Sequence, residues 1–289
     1  MSDRPTAGLP DQSGRTWVIT GANSGLGAEI ARAAAAAGAD VTLACRNLDK
    51  AERVAGRIGA SARVAHLDLA DLGSVRDFAA GVEPFDVLVN NAGVMALPHR
   101  RTADGFEMQM GTNHLGHFAL TGLLLPRVRE RIVIMSSLAQ NWGRIHADDL
   151  NWERRRYNRW AAYGDSKLAN TVFGRELARR LTQSGSPVRA VLAHPGYTST
   201  GLMGQSETPV DYLMKAGAML RVGQPAAQGA LPALFAATAD VPNGSYWGPN
   251  RVLRGTPSRA RYRAAADDQR VRDRLWSASE ELTGVTFDV

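Results

Sequence analysis

Short apolar runs alternate with longer amphipathic stretches through most of this chain. Thr16-Trp-Val-Ile-Thr20 is β-rich and passes straight into Gly21-Ala-Asn-Ser-Gly25-Leu-Gly27, after which Ala28 to Ala37 has a helical pattern closed by Gly38. The rhythm then repeats. Asp40 to Ala44 predicts a second strand, Leu48 to Ile58 a helix stopped by Gly59, Arg63 to Leu67 a strand and Leu72 to Ala80 a helix. Asp86 to Asn90 is an apolar strand ending in Asn90-Asn91-Ala92-Gly93. Three β-α units in succession, with continuously apolar strands, predict a parallel sheet covered on both faces.

The second half continues the pattern. A helical stretch from about Gly105 to Leu125 precedes a strand over Arg131 to Ser136, and a long helix carries Tyr163 and runs to about Gln183. Val188 to Leu192 predicts a strand, Pro225 to Ala236 a helix and Ser245-Tyr-Trp247 a short edge strand. The charged tail from Arg259 is helical in pattern and has Trp276 and Leu282 to pack against the sheet. No linker or repeat divides the chain, so the expectation is a single domain over residues 1–289 with a loose arm at 1–14.

Composition narrows the functional classes. With 44% hydrophobic and 21% charged residues in 289, the chain has the make-up of an ordinary soluble globular protein. Its net charge of +6 comes almost wholly from scattered arginines, because the only lysines are Lys50, Lys167 and Lys215. No aromatic-interleaved basic stripe appears, so no nucleic-acid partner is expected. Cys45 is the single cysteine, which excludes an intrachain disulfide and suits a reducing compartment. Met1 to Gly14 lacks an apolar core of the secretory kind, and the apolar runs Ala33–Ala37 and Ala230–Ala237 are too short or interrupted to span a bilayer. A cytoplasmic protein with no membrane span is the expectation.

The chemistry-bearing residues lie at the element boundaries. In the turn from Gly21 through Asn23, Ser24, Gly25 and Leu26 to Gly27, glycines let the backbone approach a pyrophosphate, and the following helix offers its free N–H groups and positive dipole end. The second strand ends at Cys45-Arg46, where an NAD site would want an acid for the ribose 2′-hydroxyl. Arg46 can instead receive a 2′-phosphate through its planar fork, which predicts NADP(H), unless it only caps or pairs with the next helix. Asp68, followed by Leu69, falls where a side chain can reach an adenine ring or cap a turn. Tyr163 and Lys167 stand at i and i+4 on a helix, so the ammonium is placed to make the phenol a better proton shuttle.

Taken in order, Thr20-Gly-x-x-x-Gly-x-Gly27, Asn90-Asn91-Ala92-Gly93, Asn113, Ser137, Tyr163-x-x-x-Lys167 and Pro195-Gly196 resemble the short-chain dehydrogenase/reductase family. Ala44-Cys-Arg46 and Ser166-Lys-Leu-Ala-Asn170 resemble its retinol-dehydrogenase-like branch. The resemblance implies an α/β Rossmann-type doubly wound sheet of about seven strands in the order 3-2-1-4-5-6-7, with helices on both faces. It implies NADP(H)-dependent interconversion of a carbonyl and an alcohol. Tyr163 is then the general acid/base, Ser137 (with Ser136 as fallback) orients the substrate oxygen, and Lys167 lowers the tyrosine pKa and holds the ribose. Asn113 bends its helix and holds a water beside the lysine. Asn91, Ala92, Gly93, Pro195, Gly196, Thr198 and Thr200 join the cofactor site. A non-catalytic NADP(H)-binding sensor or scaffold, and a lyase, epimerase or dehalogenase on the same scaffold, stand as alternatives.

Residues 196–225 predict an apolar substrate flap, although its Met and Leu positions also suit a packed helix. Residues 142–160 look like an insertion, serving as a lid edge or a subunit contact in what the resemblance implies is a homodimer or homotetramer. His114 and His117 lack a third ligand, so no metal is expected and they read as helix-face residues.

Overall fold

The computed structural model describes residues 9–198 and 223–289. Its strands are β1 (Thr16–Thr20), β2 (Asp40–Cys45), β3 (Ala62–His66), β4 (Phe85–Asn90), β5 (Val128–Met135), β6 (Arg189–Ala193), β7 (Tyr246–Pro249) and β8 (Pro257–Arg259). The helices are α1 (Gly25–Ala36), α2 (Leu48–Ile58), α3 (Leu72–Ala80), α4 (Met108–Met110), α5 (Gly116–Leu124), α6 (Arg159–Gln183), α7 (Ala226–Thr238) and α8 (Gln269–Thr283). The strands form one sheet in the order β3-β2-β1-β4-β5-β6-β7-β8. All neighbours run parallel except β7 and β8.

The expected doubly wound order is therefore present with one strand more. β8 is an antiparallel three-residue piece, Pro-Ser-Arg, that covers β7 and so takes the edge position expected for Ser245-Tyr-Trp247. A proline at such an edge removes only a donor that no neighbour needs.

Side chains alternate across the sheet and build a core on each face. Trp17, Ile19, Leu43, Val87, Val89, Val133 and Val191 pack under α1, α2 and α7. Val18, Ala44, Leu88, Ile132, Ile134 and Ala190 pack under α3, α5, α6 and α8. Trp276 is buried among Phe118, Phe173 and Phe287, so the tail helix closes this second core as expected. A fully buried leucine such as Leu88 or Leu120 contributes about 1.5–3 kcal/mol by leaving water.

Two local departures from the sequence reading bear on the site. The helical stretch expected from Gly105 starts at Met108 and is interrupted by a π-helical turn over Gly111–Leu115, in which Gly116 N–H bonds back to Gly111 C=O. The N-terminal arm is anchored within residues 9–14: Gln12 is buried and donates its backbone N–H to Ala37 C=O at 2.8 Å.

Candidate functional site

The glycine turn lies at the carboxyl end of β1, pressed against the segment that follows β4. Gly21 has φ 67° and Gly25 φ 55°, both in the left-handed region. A Cβ on Gly21 would meet Ala92 at 2.9 Å, and one on Gly27 would meet Gly21 O at 2.5 Å and Asn91 Nδ2 at 2.6 Å. Only glycine fits. Asn91 donates its side-chain amide to Thr20 C=O at 2.8 Å, and the N–H groups of Asn91 and Ala92 both reach Thr20 Oγ1 at 2.9 Å. Ser24 begins α1 without a side-chain cap, and no acid stands in the first turn, so the helix N-terminus keeps its N–H groups and positive end for a ligand. Asn23 and Leu26 are half-buried beside it. Cys45 is buried under this turn. Burial pushes its thiol up to about 11, against the pull of the Ala22, Asn23 and Gly21 N–H groups.

Farther along the sheet edge, Arg46 is exposed, with Nη1 3.8 Å from Asp68 Oδ2. It is not the cap of α2, because Asn47 fills that role through Lys50 N–H. Asp68 does act as a turn former: Oδ1 accepts Ala70 N–H at 3.0 Å. Leu69 is buried, and its carbonyl packs on Gly116 so closely that a Cβ there would approach it to 2.3 Å.

Tyr163 and Lys167 occupy successive turns of α6, 7% and 4% exposed. Lys167 Nζ is 5.9 Å from the Tyr163 ring centroid. Gly93 lies where Lys167 and Asn113 converge, for a Cβ on it would be 3.4 Å from Lys167 Nζ and 3.0 Å from Asn113 Oδ1. Asn113, inside the π turn, grips the Val94 backbone both ways. Its Oδ1 accepts Val94 N–H at 2.8 Å, and its Nδ2 donates to Val94 C=O and to Ser166 Oγ, each at 2.9 Å. Ser137 begins a 3-10 turn and accepts Ala139 N–H at 3.2 Å.

Electrostatics departs from the expected acidified phenol. Burial raises the Tyr163 pKa, with a Ser137 hydrogen bond pulling it back, while burial alone lowers Lys167 to about 8. The Ser137 hydroxyl is thus near enough to the phenol to pull its pKa down. Ser136 turns away, its Oγ 2.9 Å from both Lys167 C=O and Thr171 Oγ1, where it ties β5 to α6.

The Pro195-Gly196 turn is held from the β7–β8 side. Gly196 has φ 68°, a Cβ on it would be 2.5 Å from Leu253 O, and Tyr197 N–H donates to that carbonyl at 2.9 Å. Thr198 is buried, pairs with Gln224 in a parallel bridge and meets Gly229 of α7 closely. Thr200, with the rest of residues 199–222 of the flap expected over 196–225, lies outside the described residues.

The 142–160 segment is welded to the site's back wall. Arg155 is paired with Asp149 at 2.9 Å and Asp165 at 3.2 Å and lies over the Trp152 ring at 3.8 Å. Tyr157 reaches the buried Glu107 at 2.9 Å. Trp142 remains 54% exposed over Gly164, next to Tyr163. His114 and His117 are corrected from helix-face residues to core ones, 0% and 2% exposed. Their partners, Ser279 and Thr20, stand 165 and 97 positions away, so no local pattern announces them.

Known proteins give the same picture. The family model for short chain dehydrogenase matches residues 15–211. The chain belongs to the short-chain dehydrogenase/reductase family. Within it the relatives place it in the retinol-dehydrogenase-like branch. Human retinol dehydrogenase 13 is 40% identical over 94% of this chain and 85% of its own, and human retinol dehydrogenase 11 is 40% identical over 95% and 87%. A crystal structure of a protein from Mycobacterium paratuberculosis covers 100% of both chains at 46% identity with a TM-score of 0.87. Another, from Beutenbergia cavernae, is described as an NAD(P)-dependent gluconate 5-dehydrogenase with NADP bound. It is 28% identical over 83% of this chain and 97% of that one, with a TM-score of 0.63. Among the described residues no helix is long and apolar enough to cross a membrane.

Proposed function

We propose that this short-chain dehydrogenase/reductase interconverts an aldehyde or ketone with its alcohol, using NADP(H), on a moderately apolar substrate. The observation that carries the reading is that Asn113 and Lys167 converge on Gly93, with the Tyr163 ring 5.9 Å from the Lys167 ammonium and Ser137 near its phenol, next to a glycine turn too tight for any side chain.

The residues fit a dinucleotide. Gly21, Gly25 and Gly27 with the open N-terminus of α1 suit its pyrophosphate, Arg46 a 2′-phosphate and Asp68 and Leu69 the adenine side. Asn91, Ala92, Gly93, Pro195, Gly196 and Thr198 would line the remainder, with Lys167 on the ribose. When bound, the nicotinamide supplies or receives the hydride.

Tyr163 is the proton carrier in this reading. Its phenol, held protonated by burial, gives a proton to the substrate oxygen during reduction and takes one during oxidation. Ser137, whose hydroxyl lowers the pKa of that phenol, orients the same oxygen. Lys167 places a cation one turn away, which favours the phenolate at the moment the proton leaves. Retinol dehydrogenases among the relatives support an alcohol/carbonyl pair, and the exposed Trp142 beside Tyr163 supports an apolar substrate.

The test is a cofactor-consumption screen with NADPH and NADH across aldehydes, ketones and quinones of graded size. Turnover with NADPH and a lower Michaelis constant for it than for NADH is expected. NADPH binding without turnover on any carbonyl would favour a sensor instead.

A further inference from the structure

Every hydrogen-bonding position on the buried His117 ring is taken. Nδ1 is 3.0 Å from the Asn113 carbonyl, which only accepts, so Nδ1 carries the proton. Nε2 is 2.9 Å from Thr20 Oγ1. That oxygen already accepts N–H from Ala92 and shares the Asn91 N–H with Val89 C=O, each at 2.9 Å, which occupies its lone pairs. Its own proton therefore goes outward, to His117 Nε2 at 2.9 Å in preference to Val89 C=O at 3.3 Å. A charged ring would force a third donor onto Thr20. Burial, the Asn113 carbonyl pulling the other way and the Lys167 charge adding to it, holds His117 down at about 4, so the ring is neutral.

The result is a chain of hydrogen bonds all pointing one way, from the Asn91-Ala92 amides through Thr20 and His117 to the Asn113 carbonyl. Such series polarise one another. Asn113 extends the linkage with its side chain, since Nδ2 donates to Ser166 Oγ and Ser166 donates to Tyr163 C=O at 2.8 Å. Four side chains, those of Thr20, His117, Asn113 and Ser166, thus connect the turn beside Gly21 to the backbone of the helix bearing Tyr163 and Lys167.

We infer that His117 is a positioning residue: as a neutral Nδ1–H tautomer it fixes the Asn113 turn, and through it Tyr163 and Lys167, against the Asn91-Ala92 segment. What is positioned rests on the proposed function, whereas the hydrogen-bond chain does not. A histidine that merely fills the core would have no coupling to Thr20.

Two measurements test it. Ring-nitrogen NMR of the histidines should show one slow-exchanging Nδ1–H tautomer that is lost in His117→Phe, and an Nε2–H tautomer at His117 overturns the inference. In kinetics, His117→Phe should lower kcat for carbonyl reduction by about 10-fold, with the NADPH dissociation constant held within about 2-fold. Thr20→Val combined with His117→Phe should cost no more in kcat than the worse single variant, and Thr20→Ser should restore most of the Thr20→Val loss. Additive losses, or losses that track melting temperature alone, overturn it. If His117→Phe does not fold, the wild-type NMR spectrum still decides. If the wild type turns over no carbonyl, the functional reading falls while the spectrum still judges the chain from Thr20 to Asn113.

Discussion

Lys167 Nζ lies 5.9 Å from the Tyr163 ring centroid, and burial drives the two groups in opposite senses, raising the phenol and lowering the ammonium to about 8. In the free enzyme the lysine is therefore the group that titrates near neutrality. Carbonyl reduction needs the phenol protonated and the lysine charged. As pH rises through about 8 the phenol keeps its proton while Lys167 loses its own, so kcat/KM for reduction should fall on that limb. Lys167→Arg keeps a permanent charge and should abolish the limb. An unchanged limb in that variant would assign it to another group.

Tyr163→Phe removes one oxygen from a ring that is otherwise packed in place. Turnover should drop by about 10²–10⁴, the usual worth of general acid–base catalysis. The NADPH dissociation constant, followed by nucleotide fluorescence, should change little. A variant that retains wild-type turnover would remove Tyr163 from the mechanism.

Two glycines make a matched pair of tests. A methyl at Gly27 would lie 2.5 Å from Gly21 O and 2.6 Å from Asn91 Nδ2, whereas one at Gly56 on α2 meets nothing within 4 Å. Gly27→Ala should therefore spread the turn, costing about 1–3 kcal/mol of stability and most of the NADPH affinity. Gly56→Ala should raise stability by about 1 kcal/mol through helix propensity. Chemical unfolding midpoints of the two variants check both signs together.

Much of the fold and the site was legible because the signals are local. Apolar runs followed by turn residues announced β1 to β6, and Tyr163 and Lys167 needed only the helical period. Residues whose partners lie far along the chain were not legible. Nothing around His117 points to Thr20, and nothing in Tyr157 points to Glu107, 50 positions away. β8 escaped notice because Pro257-Ser-Arg259 has neither alternation nor β-formers, and exists as a strand only because β7 offers an open edge. The phenol was expected to be acidified by its neighbour because the sequence shows the lysine but not the depth of burial, which opposes it.

Arg46 is exposed, 68% of its side chain, and its nearest carboxylate is 3.8 Å away, an arrangement that holds the guanidinium only loosely. It is free to turn to a phosphate. Arg46→Gln should weaken NADPH by roughly 10- to 100-fold, the scale of a charge-assisted fork, while leaving NADH nearly unaffected. Equal losses for both nucleotides, measured as dissociation constants at one ionic strength, would remove Arg46 from the choice of cofactor.

The buried histidines make stability depend on pH in a direction that can be worked out. Burial lowers His114 to about 3 and His117 and His194 to about 4, all from 6.5. Below pH 6.5 the unfolded chain takes up protons that the folded chain refuses. Stability must therefore fall as pH drops from about 6.5 toward 4, by up to about 1.4 kcal/mol per pH unit for each ring. Glu107 and Asp165 work against this, because burial raises both carboxyls above their ordinary values and the folded state then binds the extra protons. Three rings outweigh two carboxyls, so the net slope keeps the sign of the histidines. His114→Gln is the informative variant: its amide can still hydrogen-bond Ser279 Oγ, which lies 2.9 Å from the ring nitrogen, but carries no titratable proton. Unfolding free energies between pH 7 and pH 4.5 should then fall less steeply, by about one proton's worth of slope. Parallel curves for the variant and the wild type would mean that His114 takes up its proton without leaving the folded core.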